Sequence, residues 1–552
     1  MKKKLLSIVS VTIAIALLSG CTMFTKSPEA VNSAASGTAA VSGSSGESSN
    51  PSSVTMYVPT EILSLSQLAA SDNISFTVLN NSFEGLYRLD KDNQPQPALA
   101  TDYKVSDDKL TYTFTLRDGI KWSNGDPITS NDFKFAWLKQ MSADATNGYS
   151  FIMTDYIVNG KEYGEGKAKA EDVGITTPDD KTLVVKIKNP TPFFLRLTAF
   201  VPFFALNEKF VTSQGANYGI SADNMPFSGP FKISQYDTAA GVTFVKNENY
   251  WDAANVKLGS FKLKVIKEQG TALNLYKSGE LARVNLSAAD VPANKSNPEF
   301  SSENNFSTVY LQFNTTADGI KNQNIRKALG LAIDRTALTE TILSNGSVAA
   351  SGLIPVKMNG LNGKSFRDMA GDVDLFDAAK AKEYWDKGVK ELGAVPKLTV
   401  VCEDTSAIKD VATFIQSEIK KNLGVEIVID SKTKKARNAL MDGNQYQMGI
   451  TAWGADYDDA MTYLDLWTGH SPYRGNYTNA DYDKLINDAK SETDEAKRAD
   501  MLIAAEKKLV AEDDVLSPLF YNGYAYLTKS NIQSIITHPY GSPLDMKYVT
   551  VK

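Results

Sequence analysis

Apolar positions along the chain switch repeatedly between a period of two and a period near 3.6, the pattern of strands alternating with helices. Val54-Thr55-Met56-Tyr57-Val58 alternates and predicts a strand, and Ile74 to Leu79 has helical spacing just beyond Asp72, a residue suited to cap it. Thr111 to Leu116 is β-branched and aromatic, Arg117-Asp118-Gly119 makes a turn, and Thr129-Ser130-Asn131-Asp132 precedes an apolar helical stripe through Phe133 and Trp137. Further strands are predicted at Leu183 to Ile187, Phe231 to Ile233, Val242 to Val245 and Phe261 to Ile266, and amphipathic helices at Ile325 to Ala332 and Ala378 to Leu392. Leu398 to Val401, Ala407 to Asn422 and Val425 to Ile429 form a β-α-β unit, with Gly424 placed to end its helix. Such units imply an α/β fold with a parallel, doubly wound sheet that binds ligands at its carboxyl edge. Met448 to Trp453 is the next strand, and Gly454-Ala455-Asp456-Tyr457 leaves its carboxyl end, the first place to look for a site. Neither an internal repeat of the length used by solenoids and propellers nor a sustained heptad interrupts this pattern.

The N-terminus follows different rules. Lys2, Lys3 and Lys4 precede an apolar run from Leu5 to Leu18, too short to span the hydrocarbon core of a bilayer and typical of a secretory signal. The run ends in Leu18-Ser19-Gly20-Cys21, which resembles the lipobox of bacterial lipoproteins, so residues 1–20 are expected to be removed and Cys21 to be acylated. Two acyl chains on that residue would hold the protein to a membrane without a spanning helix. Residues 26–53 carry no aromatic and mostly Ser, Ala and Gly, a flexible tether of about 30 Å root-mean-square reach.

Composition narrows the function. With 552 residues, 42% of them hydrophobic, the chain needs more than one domain. Lys and Arg total 58 against 64 Asp and Glu, a net charge of −6, so the basic footprint of a nucleic-acid binder is missing. Two cysteines and two histidines, His470 and His538, leave little for a disulfide framework, a His-based metal site or a Ser-His nucleophile. Both histidines sit in turn-like sequence and read as surface or capping residues, while Cys402 lies mid-strand and reads as core. Gly363-Lys364-Ser365 lacks the first glycine of a phosphate loop, with Met358 in its place. Asp456-Tyr457-Asp458-Asp459 lacks the glycine and the glutamate of a calcium loop. A secreted hydrolase using paired carboxylates stays open on residue counts alone.

Several segments together resemble the solute-binding proteins of ABC importers, specifically the oligopeptide-binding branch. They include Phe83-Glu84-Gly85-Leu86, the long stretch Leu116 to Thr129 with Asp132-Phe133, Pro190-Thr191-Pro192-Phe193-Phe194, Ser228-Gly229-Pro230-Phe231, Asn249-Tyr250-Trp251 and Ile325 to Leu329 running on to Arg335. The resemblance implies a two-lobed clamshell, like a periplasmic binding protein, with an additional domain on the first lobe. Residues 54–82, 206–306 and 520–552 would make the first lobe, 83–205 the additional domain and 307–519 the second lobe. It further implies a monomer with no cofactor and no metal, which captures an oligopeptide between its lobes and delivers it to the transmembrane subunits of an ABC permease. A narrow-specificity pheromone receptor on the same fold is the alternative. Trp453-Gly454-Ala455-Asp456-Tyr457 is similar to the family segment whose aspartate bonds the α-amino group of the peptide, which assigns that role to Asp456. Trp453, Gly454, Ala455 and Tyr457 would flank the ligand, with a core position the other reading of Trp453; Tyr310 would meet it at the crossover into the second lobe, and Ser228 and Gly229 would offer backbone contacts or simply form a tight turn. Where some relatives carry arginines before the tryptophan, this chain has Met441 and Ile450, so no anchor for a peptide carboxylate is expected at those positions.

Overall fold

A computed structural model of the chain describes residues 53–552 other than 147, 224, 374–375 and 470–473. The leader, Cys21 and the tether lie outside the described residues, as does His470.

Three principal sheets organise the chain. In the first, the strands run in the order Ser53–Val58, Ser260–Val265, Gly241–Lys246 and Phe231–Asp237, the first pair parallel and the rest antiparallel. The alternation seen in the sequence sets its faces: Val54, Met56, Val242, Phe244, Phe261 and Leu263 are buried on one side, while Lys262 and Lys264 point outward. The second sheet is antiparallel throughout, in the order Ala100–Val105, Thr111–Leu116, Thr182–Lys186 and Ile175–Asp179. The helix Ser130–Met141 packs on it through Phe133, Ala136 and Trp137. Thr129 caps that helix, its N–H donating to Asp132 Oδ2 at 2.8 Å in a reciprocal capping box. Asp72 caps Asn73–Ser82 as expected, Oδ1 accepting from Ile74 and Ser75.

The third sheet is mixed and carries the predicted β-α-β unit. Its order is Arg283–Asn285, Leu516–Thr528, Phe300–Phe313, Met448–Gly454, Leu398–Glu403 and Ile427–Lys432. Leu398–Glu403 is parallel to both of its neighbours, and Gly424 ends the intervening helix at φ 74°. Val400 and Cys402, with Met448, Ile450, Val309 and Leu311, pack beneath the helices Gln323–Leu331, Ala378–Leu392 and Ser406–Leu423. Cys402 is therefore core, as its sequence context indicates.

Two long strands join separate cores. Phe300–Phe313 and Leu516–Thr528 pair antiparallel, one end against a small core around Leu273, Val284 and Leu527, the other in the core just described. Their register shifts between Asn304 and Thr308, where three residues of one strand face a single residue of the other. A third core, aliphatic with many aromatic rings, draws on residues of both halves of the chain, from Phe76 and Phe193 to Tyr457 and Trp467. Among the described residues no helix is long and apolar enough to cross a membrane.

His538 corrects its sequence reading, since it is buried rather than at the surface, with Nδ1 2.9 Å from Asn93 Oδ1. It neighbours a sealed charge network in which Arg88 bonds both Asp545 and Glu84. The phosphate-loop fragment also resolves into local structure, for Ser365 caps Phe366–Ala370.

Candidate functional site

The strand Met448–Gly454 is paired unevenly along its two edges. Phe300–Phe313 accompanies it from Met448 to Gly454, but Leu398–Glu403 pairs only at Met448 and Gly449 and then diverges. From Ile450 to Gly454 one edge therefore has no strand partner. On one face of this stretch lie Thr451 and Trp453, with Tyr310 directly opposite Thr451.

Beyond the strand the chain is pinned at almost every residue. Ala455 N–H donates to Phe306 C=O, Asp456 N–H to Thr462 Oγ1 and Asn359 N–H to Asp458 Oδ1. Asp459 receives both terminal nitrogens of Arg498, at 2.8 and 2.9 Å. These bonds hold the Asp456 side chain in place, 6% exposed. Its Oδ1 accepts a hydrogen bond of 3.1 Å from Tyr149 OH. Burial pushes its carboxyl up to about 7, against the opposing effect of the Tyr149 hydrogen bond. Asp456 also lines a cavity of about 20 Å³ whose walls include Asn80, Arg196, His538, Tyr540 and Ser542. That volume holds a group the size of a water molecule or an ammonium. The hydroxyls of Tyr540 and Ser542 and the Arg196 Nε are buried there without partners.

The other residues singled out from the sequence fall into two sets. Trp453 and Tyr310 gather at the open stretch of strand: Arg474 lies over the Trp453 ring at 5.1 Å and its Nη1 donates to Tyr310 OH at 3.4 Å. Gly454 is exposed at the end of the strand and Ala455 is buried behind it. Tyr457 does not join Asp456 at the cavity, because its ring stacks on Phe193 at 4.3 Å and its hydroxyl meets that of Tyr156. Ser228 and Gly229, expected to offer backbone contacts, lie in a loop with several partners inside the protein. Ser228 Oγ accepts from Glu84 N–H, Gly229 N–H donates to Ser82 C=O, and Gly229 C=O accepts from Asn247 Nδ2, so the Ser228 hydroxyl and both Gly229 backbone groups are engaged within the protein.

Tyr149, Arg437 and Arg474 were not singled out from the sequence. Arg437 rises from the helix Lys434–Asp442, donates Nη1 to Thr451 Oγ1 at 2.7 Å and lies 3.6 Å from Glu403 at the end of the diverging strand. The guanidiniums thus flank the unpaired edge, one from a helix and one from the loop before Gly475. No local motif announces them, since each reaches the strand from a separate element on either side of it in the sequence. Among the described residues no group of three or more His, Cys, Asp or Glu side chains is arranged to hold a metal.

Comparison with known proteins agrees with this architecture. Residues 94–475 match the family described as bacterial extracellular solute-binding proteins, family 5, middle. The chain is 31% identical over 515 residues to the oligopeptide-binding protein OppA of Bacillus subtilis, covering 90% of this chain and 92% of that one. It is 32% identical over 486 residues to the dipeptide-binding protein DppE of the same organism, covering 86% and 88%. Among solved structures, peptide-bound OppA of Listeria monocytogenes superposes with a TM-score of 0.81 at 36% identity, covering 91% of this chain and all of that one. The pheromone receptor PrgZ superposes with a TM-score of 0.80 at 32% identity, covering 91% and 99%. The fold expected from the sequence resemblance, a multi-domain α/β binding-protein architecture, is the one observed.

Proposed function

The chain belongs to the family 5 bacterial extracellular solute-binding proteins, and from that premise we propose that it binds oligopeptides outside the cytoplasm for uptake by an ABC importer, Asp456 receiving the peptide's α-ammonium group. Members of this family bind solutes and do not catalyse a reaction, so the hydrolase alternative falls away.

The observation that carries the site assignment is a buried carboxylate at the end of a strand whose edge is open. Asp456 accepts one bond from Tyr149, and its carboxylate borders a cavity that fits an ammonium. An extended peptide laid along Ile450 to Gly454 would find backbone partners on the unpaired edge whatever its sequence. With its amino group at Asp456 it would run antiparallel to that strand. A charge-assisted hydrogen bond at the first residue then fixes the register.

On this reading residues 54–82, 206–306 and 520–552 form one lobe, 83–205 the additional domain and 307–519 the second lobe. The transmembrane subunits of a permease are the delivery partner, and a lipid on Cys21 holds the protein at the outer face of the membrane. The comparison with a pheromone receptor keeps a single-peptide ligand in view, and mass spectrometry of what native protein releases on denaturation separates one peptide from a mixture.

Titration calorimetry with a free peptide and its N-acetylated form, on wild type and Asp456→Asn, tests the assignment as a double-mutant cycle. Loss of the pair should weaken binding about tenfold to several-hundredfold, and acetylation should add little on the variant. Strictly additive losses would remove Asp456 from the site.

A further inference from the structure

Pairing between the two long strands lapses at one place. Asn304 pairs with Gly523 and Thr308 with Tyr521, so Asn305, Phe306 and Ser307 stand opposite Asn522 alone. A bulge of this size interrupts the ladder and raises the local twist, so the strands bend here more readily than along their paired stretches. The small core around Leu273, Val284 and Leu527 lies on one side of it, and the larger core with Val309, Leu311 and Phe520 on the other. Residues 344–353 cross this joint. They leave a π-helical segment, Leu338–Leu343, through Ser344 at φ 42°. Val348 and Ala349 pair with Tyr521 and Phe520, Ala350 N–H donates to Leu519 C=O, and Leu353 C=O accepts from Thr308 Oγ1 at 2.7 Å, all on the side of the larger core. Across the bulge the segment is held more lightly: Gly346 C=O accepts from Asn304 Nδ2 at 2.8 Å, and Ser347 Oγ from Gly523 N–H at 3.1 Å.

Glycine at position 523 is required by this contact and not by its own backbone. Gly523 sits within a strand and does not adopt the left-handed φ that would favour glycine, yet a Cβ there would run into the backbone of Gly346 and Ser347. Gly346 does need its freedom, at φ 94°, and its own Cβ would meet Ser302 Oγ. Two facing glycines thus let the segment lie flat on the crossing strands. We propose that residues 345–349 are a strap across the hinge, anchored to the ladder on one side of the bulge and fastened to Asn304 and Gly523 on the other, which stabilises the arrangement in which Asp456 is buried beside Tyr149. The proposal rests on the peptide-binding reading given above and deepens it by naming what sets how readily the site opens.

A hinge concentrates rotation at a few residues. When the strands bend at the bulge, residues 348–353 travel with Tyr521 and Thr308, whereas Asn304 and Gly523 travel with the smaller core. The two light bonds are then the ones that break, and Gly346 parts from Gly523. Tyr149 reaches Asp456 across 307 residues of sequence, and the same rotation separates the segments that carry them, so fastening the strap and burying Asp456 favour each other. One hydrogen bond between neutral groups shifts an equilibrium about 2- to 12-fold, enough to tune opening without locking the site shut.

Stopped-flow tryptophan fluorescence of hexa-alanine binding is the test, on the full chain and on Ser347→Ala, Asn304→Asp and Gly523→Ala. The first two variants each remove one fastening with little change of shape, and Gly523→Ala drives the segment off the strands. Hexa-alanine should leave Ser347→Ala and Asn304→Asp about 2- to 12-fold faster than wild type, and Gly523→Ala faster still, while the association rate changes little. Ser347→Thr keeps the hydroxyl and should restore slow release. Release as slow as wild type in all three variants overturns the strap, and a lowered denaturation midpoint without faster release does so too, by reducing the segment to a structural role. Small-angle scattering of the wild type separates this result from the wider reading. A radius of gyration that falls on saturation with hexa-alanine, beside unchanged release in the variants, removes the strap and leaves peptide binding between lobes standing. An unchanged radius in the saturated wild type overturns both.

Discussion

Lowering the pH from 7 to 5 is expected to weaken peptide binding about 50-fold through one residue, Asp456. Burial holds its carboxyl at about 7 in the unliganded protein, against an ordinary value of 3.8. A peptide ammonium beside it supplies the opposite charge and draws the carboxyl back toward 3.8. At pH 7 about half of the free protein then carries the competent carboxylate, and at pH 5 about one per cent does. The affinity slope approaches one decade per pH unit, and at pH 6 binding releases about 0.9 proton. Above pH 8 the peptide loses its own proton, since an α-amino group titrates near 7.7 to 8.0, so affinity peaks between about 7 and 8. Calorimetry from pH 5 to 8 in two buffers of different ionisation enthalpy reads both quantities. The His538 imidazole in the same cavity is held below its usual 6.5 by burial, and any step it adds persists in Asp456→Asn and subtracts out. The same shift acts on stability with a definite sign. A native carboxyl raised above its unfolded value makes the unliganded protein lose stability as pH rises from 3.8 to 7, by at most about 4 kcal/mol. Asp456→Asn should therefore resist denaturant better than wild type at pH 8 and not at pH 4. A flat wild-type profile between pH 5 and 7, or an unchanged slope in Asp456→Asn, would falsify the linkage.

Three further outcomes follow from other parts of the molecule. Gly229→Ala places a Cβ 2.7 Å from the backbone of Ser82 and Phe83, and should cost about 1 to 3 kcal/mol in denaturant titration while leaving the affinity of the folded protein unchanged; a selective loss of affinity would return this loop to the ligand site. Glu506→Ala strands the buried Arg367 guanidinium and removes the acceptor of Ile354 N–H, for a loss of about 3 to 5 kcal/mol; a change under about 1 kcal/mol would mean that Arg367 finds water there. Cys21→Ala should leave the protein unprocessed or shed into the medium in a fractionation experiment, and a mature membrane-bound form of this variant would rule out lipid anchoring.

Much of this molecule follows from local pattern. Period-two alternation, Asp72 as a cap, a cap among the four polar residues Thr129 to Asp132, and Gly424 as a helix stop depend on neighbours within a few residues, so the corresponding strands and helices were legible before any fold was known. The strand Met448–Gly454 and the loop to Asp456 were legible for the same reason, and with them the most informative candidate. What escaped depends on groups distant in sequence. The burial of His538 is set by Asn93 and the Arg88 network, 445 residues away in the first of these contacts. That the Ser228 hydroxyl and the Gly229 backbone are engaged depends on Ser82, Glu84 and Asn247, which lie outside their local sequence. The Asp456 carboxyl owes its raised titration to burial at a joint that brings Tyr149 across 307 residues. Arg437 and Arg474 meet the same stretch of strand from the helix Lys434–Asp442 and from a residue just before Gly475. A sequence records which side chains can bear charge, whereas which charges meet, and how far each lies from water, is decided by packing.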